Sequence, residues 1–188
     1  MENDVMKKKG EKGYIASLKT YDLVFILASV IICAGIFIYG IKTAGSKANI
    51  FTVISVCILL PACKRLTNLI VVFPYKGIKN EDYEKIVPVI KEGWDCFCDM
   101  IFTTEDHVLK FNHCVLADNY FVAYSDMDAE KNKYIKEYLE KGFDKRGSSV
   151  HVTVCTELQK YLNILMNTVP EGKCENEYAL SFVRSLMV

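Results

Sequence analysis

Apolar residues come first in two long runs and afterwards only in short alternating or helix-period patches. The runs are Leu23–Ile41 and Ile50–Phe73, joined by the link KTAGSKAN. The first is 19 residues without a charge, and a helix of about 20 apolar residues crosses a bilayer's hydrocarbon core. The pattern predicts a helical hairpin anchor followed by a polar domain. It divides the chain into a basic tail (1–21), a two-helix anchor (22–75) and an α/β domain (76–188).

The second run is irregular. Pro61 precedes Lys64 and Arg65, and apolar character resumes only at Leu66. A charge at the bilayer centre costs roughly 2.5–3.5 kcal/mol on insertion scales. The hydrocarbon is therefore expected to end near Cys63, with Lys64 and Arg65 snorkelling at the membrane interface. Leu66–Phe73 would then run along the interface or pack on the domain. The sharper alternative makes Lys64 and Arg65 an intramembrane functional pair.

Beyond Pro74 the periods alternate between helix and strand. Asn80 is placed to cap a helix opening on Glu81 and Asp82, with Tyr83, Ile86, Val87, Ile90 and Trp94 at helical spacing and Pro88 bending it. Strands are expected at Cys96–Thr103, Leu109–Ala117 and Tyr120–Ser125, the last two around a tight Asp118-Asn119 turn. Asp128–Phe143 reads as a charged helix with Ile135, Tyr138 and Leu139 inward, and Val150–Cys155 as a strand. Thr156 to Gln159 fits a capping box ahead of the stripe Leu158, Tyr161, Leu162, Leu165, Met166. Ala179, Phe182, Val183 and Leu186 mark a final short helix. The fold class expected is α+β: a transmembrane helical hairpin, then a small α-β-β-β-α-β-α domain.

Charge changes the picture in one respect. The formal net charge is zero, yet the chain through Tyr75 holds nine Lys/Arg against four Asp/Glu, a net of +5. The remainder holds fourteen against nineteen, a net of −5. A basic membrane-proximal part suits an anionic leaflet of the lipid bilayer. An acidic domain disfavours nucleic acid, whose phosphates need clustered cations. Lysines crowd the N-terminal tail and the far end of the hairpin, whereas the link has only Lys42 and Lys47. The positive-inside rule then puts both termini in the cytoplasm of a two-span protein of the cell membrane. A cleaved signal peptide fits poorly, because the charged region is long, Ser46-Lys47-Ala48 is a weak cleavage site and a second span follows at once. In that orientation the eight cysteines would stay reduced.

The stretch DMIFTTEDHVLKFNHCVLADNYFVAYSD, with the element order around it, resembles the strand region of nuclease-related domains of the restriction-endonuclease-like fold. The resemblance covers residues 80 to about 156. It implies a metal-binding Asp at the position of Asn112 and a Glu-x-Lys at Tyr124-Ser125-Asp126, so all three active residues would be absent here. A hard cation wants carboxylate oxygens, and the missing Lys would have steadied the developing phosphate charge. The run LLPACKRLTNLIVVFPYK after a first span resembles a family of small bacterial two-span membrane proteins. Some of these carry the label O-linked GlcNAc transferase-like. The chain has no tandem helical repeats and is too short for a two-lobed sugar-nucleotide domain, so glycosyl transfer is not expected.

Other chemistry is weighed against simple packing. Cys96 and Cys98 share a strand face, as do His151 and Cys155, while the adjacent His113 and Cys114 point oppositely. No zinc spacing results, and free cysteine is a common core residue. A Cys114–His151 nucleophile pair is allowed across a sheet but would need a stabilised thiolate and an orienting group. Thr103, Thr104, Glu105, Asp106 and His107 could hold a cation, though they read more simply as a solvated hairpin loop. Asp128–Arg146 reads as a wet helix face. No catalytic, cofactor-binding or metal-ligating residue is assigned, and no cofactor is expected. The expected function is a membrane-anchored, non-enzymatic interaction or sensing module working with a protein partner or as a homo-oligomer. The alternatives are a membrane-tethered hydrolase, either a divergent metal nuclease or thiol-based, and more weakly an oligomeric pore or transporter accessory.

Overall fold

The computed structural model describes residues 7–104, 107–170, 172 and 177–186. The protein is α+β, with two long apolar helices and a small domain built on a four-stranded mixed sheet. The described chain divides into two compact units. One is Ala16–Tyr75, and the other joins Lys7–Ile15 to the chain from Lys76 onward.

The first unit is a helix pair, α1 (Tyr14–Ala44, its first two residues grouped with the second unit) and α2 (Ile50–Val72). Both are long and apolar enough to cross a membrane. Small residues occupy buried positions: Ser29, Ser55 and Ala62. A Cβ on Gly40 would lie 2.5 Å from that of Phe51, so only glycine fits there. The Ser29 and Ser55 hydroxyls donate to the carbonyls of Phe25 and Phe51, each at 2.8 Å, which removes their polarity from the helix surface. Asn49 caps α2 by accepting from the Thr52 N–H at 3.0 Å. Outward positions are apolar, Ile31 being 71% exposed. α2 runs unbroken through Pro61 to Val72. Lys64 and Arg65 therefore sit on the body of a helix.

In the second unit α3 (Asn80–Ile86) passes into a 3-10 turn over Val87–Val89, because Pro88 cannot extend the helix. The strands are β1 (Asp95–Thr103), β2 (Val108–Ala117), β3 (Tyr120–Tyr124) and β4 (His151–Cys155), in the spatial order β1-β2-β3-β4. β1, β2 and β3 form an antiparallel meander turned by Asp118 at φ 47°. α4 (Ala129–Asp144) crosses over to place β4 parallel to β3. α5 (Leu158–Asn167) and α6 (Glu177–Leu186) follow. Phe111, Phe121, Ile135, Leu139, Phe143 and Phe182 fill the core on the face covered by α4 and α6. Ile86, Val115, Val122, Tyr161 and Leu165 fill the other, under α3 and α5. Two expected caps do not form. Lys79 occupies the cap of α3, with Asn80 already inside it, and Glu157 rather than Thr156 precedes α5; neither cap residue makes a side-chain bond.

β1 is an edge strand, and its alternation breaks at Asp99. Phe97 and Met100 enter the same core, as do Phe111 and Cys114 on β2. Asp99 lies between the first pair and Asn112 between the second, so both strands shift face together and the register survives. Asp99 has φ 52° and is 1% exposed. Its carboxylate accepts from the N–H of Gly13 at 2.6 Å and of Ile78 at 2.7 Å. Beside it the N–H of Cys98 donates to the carbonyl of Gly10 at 2.7 Å, so the 7–15 segment covers part of the open edge. Any side chain at Gly77 would collide with the carboxylate, 2.7 Å from where a Cβ would stand.

Asp99→Ala should therefore destabilise the full chain by about 3 kcal/mol, from two lost charge-assisted bonds and a left-handed alanine. Asp99→Asn keeps one acceptor and should cost about half as much. Denaturant titration in detergent, followed by the fluorescence of the single tryptophan, Trp94, checks both. An alanine variant as stable as the parent would show that the carboxylate holds nothing.

Candidate functional site

The positions that the sequence resemblance singled out, Asn112, Tyr124 and Asp126, lie on the central strands β2 and β3 or just beyond β3. Asn112 is 4% exposed on β2, and its side chain hydrogen-bonds to the hydroxyl of Tyr124 on β3. The Asn112 carbonyl oxygen is buried without a partner among the described residues. Burial raises the pKa of Tyr124, with the charges of Asp82 and Asp126 adding to it. Asp126 does not stand free. Lys110, 5% exposed on β2, pairs with its two oxygens at 3.0 and 3.1 Å. Ser125, between them in sequence, donates its hydroxyl to the Lys110 carbonyl at 2.9 Å. The donors gathered here are thus one amide oxygen, one phenol and one carboxylate already neutralised. A hard divalent cation needs several carboxylate or carbonyl oxygens, and among the described residues no group of three His, Cys, Asp or Glu could hold a metal.

The thiols and imidazoles sort by strand face. Cys114 enters the α4/α6 core with its sulfur 3.2 Å from that of Met100. His151 is exposed and lies against the ring of Tyr120. The Cys114–His151 pair is therefore not brought together. The sheet instead sets Cys98 opposite His113, a pairing absent from the sequence reading. His113 is fully buried, its Nδ1 is 2.7 Å from the Tyr161 hydroxyl, and its Nε2 has no partner among the described residues. Burial pulls the His113 pKa down to about 4. Burial pushes the Cys98 thiol up to about 12, with Asp99 and Cys96 adding to it, and Cys96 up to about 11, with Asp95 adding. A neutral imidazole beside protonated thiols is the reverse of an activated Cys–His pair. Cys33, Cys57, Cys63, Cys96, Cys98, Cys114 and Cys155 are all free thiols. Cys174 lies outside the described residues, as do Glu105 and Asp106 of the acidic hairpin loop.

The hairpin has its own polar centre. Arg65 pairs with Asp22 of α1 at 3.0 Å, and Asp22 is 1% exposed. The guanidinium also lies over the rings of Tyr21 and Phe25, 5.4 and 5.7 Å from their centroids. Lys19 donates to the carbonyls of Phe73 and Tyr75 at 2.7 and 2.6 Å, closing the end of α2. Lys64 is exposed. The two adjacent cations thus differ: one faces outward and one binds the neighbouring helix. A carboxylate at the margin of a span was the signal for this pair, since buried charges require partners.

No family model, curated protein or solved structure matches this chain.

Two expectations follow. The folded pKa of His113 lies below its unfolded value of 6.5, so the unfolded chain takes up its proton first as pH falls. The stability this neutral imidazole confers is complete above 6.5 and is lost between there and about 4, at about 1.4 kcal/mol per pH unit. His113→Gln should flatten that part of the stability–pH curve, and parallel slopes for the two proteins would refute the assignment. In the hairpin, Arg65→Met should cost about 2–4 kcal/mol by leaving Asp22 buried and unpaired. The double variant Asp22→Asn/Arg65→Met should recover much of that loss. A double-mutant cycle on thermal unfolding in detergent measures the coupling, and additive losses would mean that the pair does not interact.

Proposed function

We propose that the chain is a membrane-anchored, non-enzymatic interaction or sensing module. The single observation that carries this reading is the state of the nuclease-like positions. Asn112 and Tyr124 offer no anionic oxygen, and the carboxylate of Asp126 is occupied by Lys110. The high thiol pKa values of Cys96 and Cys98 and the low one of His113 weigh the same way against thiol-based hydrolysis. In this reading α1 and α2 hold the domain at a bilayer, with both termini on the cytoplasmic side and the basic tail facing anionic lipid. The working partner is a protein, either a second species or another copy of this chain, and nucleic acid is not bound.

The test is in-cell crosslinking of the tagged full-length protein, followed by detergent purification and mass spectrometry. One stoichiometric protein partner, or a defined homo-oligomer, is the expected result. In parallel, the purified chain should leave single- and double-stranded DNA uncut in Mg2+ or Mn2+. Cleavage that chelation abolishes and Asp126→Asn removes would overturn the reading in favour of a divergent nuclease.

A further inference from the structure

The domain is acidic as a whole, yet a cavity at the end of α4 is lined by three cations and, among the described residues, no acid. Lys141, Lys145 and Arg146 border a cavity of about 520 Å³ between α4, α6 and the end of β1. Thr103 and Ser185 add hydroxyl groups to its wall, and Phe182 and Tyr138 give it an aromatic floor. Among the described residues none of the three cations has a carboxylate within ion-pair distance. Lys141 and Lys145 stand four apart on one helix, a spacing at which like charges repel.

The ordinary explanation is that cations complement the negative end of a helix. Here that end is already closed by the backbone. Gly147, at φ 70°, turns the chain so that the N–H of Ser148 reaches the Phe143 carbonyl at 3.1 Å and that of Gly147 reaches Asp144 at 2.9 Å. Of the three, Arg146 alone among the described residues spends a donor on the helix, to the Gly142 carbonyl at 3.2 Å. Its guanidinium is stacked on the Phe182 ring at 4.2 Å, which fixes it while leaving further N–H groups unused. Phe182 is in turn seated on Gly142, where no Cβ could be accommodated. A held arginine, two unpaired lysines and an aromatic floor in one concave site match an anion carried on an apolar body.

We propose that this cavity binds a phosphate monoester attached to an aromatic or aliphatic group. Two sources carry that chemistry, a soluble nucleotide or an anionic lipid headgroup. The inference uses none of the residues that carry the non-enzymatic reading and stands or falls separately from it.

The experiment is thermal melting of the full-length protein in a neutral detergent with AMP, dioctanoyl phosphatidic acid or inorganic phosphate. One of the first two probes should raise the melting temperature by about 5 °C at saturating concentration. Lys141→Gln/Lys145→Gln, a change confined to exposed side chains, should melt like the parent without ligand and lose most of the response. Arg146→Lys, which keeps the charge but not the planar stack, should weaken binding at least tenfold. A response to AMP alone assigns a soluble nucleotide, and one to phosphatidic acid alone assigns a lipid. An equal response to inorganic phosphate removes the apolar body from the proposal. No response to any probe, or an undiminished one in the double variant, overturns it.

Discussion

A single carboxylate ties together two distant stretches of the domain. Asp99 sits within a strand but takes a left-handed backbone conformation, which costs a non-glycine residue roughly 1–2 kcal/mol. That turn carries its side chain to the strand's open margin, where two backbone N–H groups meet it, one before the hairpin and one after. Neither donor belongs to a helix or a ladder, so each would otherwise be an orphan of the kind folded proteins avoid. Charge-assisted bonds of this length are about twice as strong as neutral ones. The strain is thus outweighed locally, and glycine at position 77 is required so that the carboxylate can be reached.

The same irregularity has consequences deeper in the sheet. Because both strands shift face at Asp99 and Asn112, Cys98 and His113 turn toward α5 while Met100, Phe111 and Cys114 turn toward α4 and α6. The groups with reactive potential are thereby sealed on opposite sides of one sheet. Desolvation then keeps each of them neutral, which lowers the cost of burying them but also disables them as nucleophile and base. His113 keeps one good hydrogen bond, to Tyr161, and leaves its second nitrogen without a partner among the described residues. A buried imidazole can hold such an arrangement only as the neutral ring.

Alternation and helical period made most of the domain legible. Tyr120–Ser125 and Asp128–Phe143 fall within a residue of β3 and α4 because their apolar positions repeat at the spacing their burial requires. What stayed hidden was every feature decided by distant partners. Asp99 reads as an unremarkable polar residue in a strand, since nothing local announces that Gly13 and Ile78 will donate to it. Asp22 and Arg65 are 43 positions apart, so hydropathy treats each as a defect of its own span. The caps at Asn80 and Thr156 failed for the opposite reason. The motif was present, but α3 begins at Asn80, one residue earlier, and α5 at Leu158, one residue later, than those caps would set. That Asn112 and Tyr124 carry no carboxylate is plain from the sequence, whereas the Lys110–Asp126 pair needed the register of β2 against β3.

The hairpin's polarity is largely consumed within the hairpin. Arg65 on Asp22, Lys19 on two carbonyls, and the serine hydroxyls on their own helices leave Lys64 as the exposed cation of the second helix. The two helices thus answer the charges of Asp22 and Arg65 between themselves and present apolar residues outward, as two helices long and apolar enough to cross a membrane. The domain, by contrast, gathers Lys141, Lys145 and Arg146 around one cavity at the end of α4.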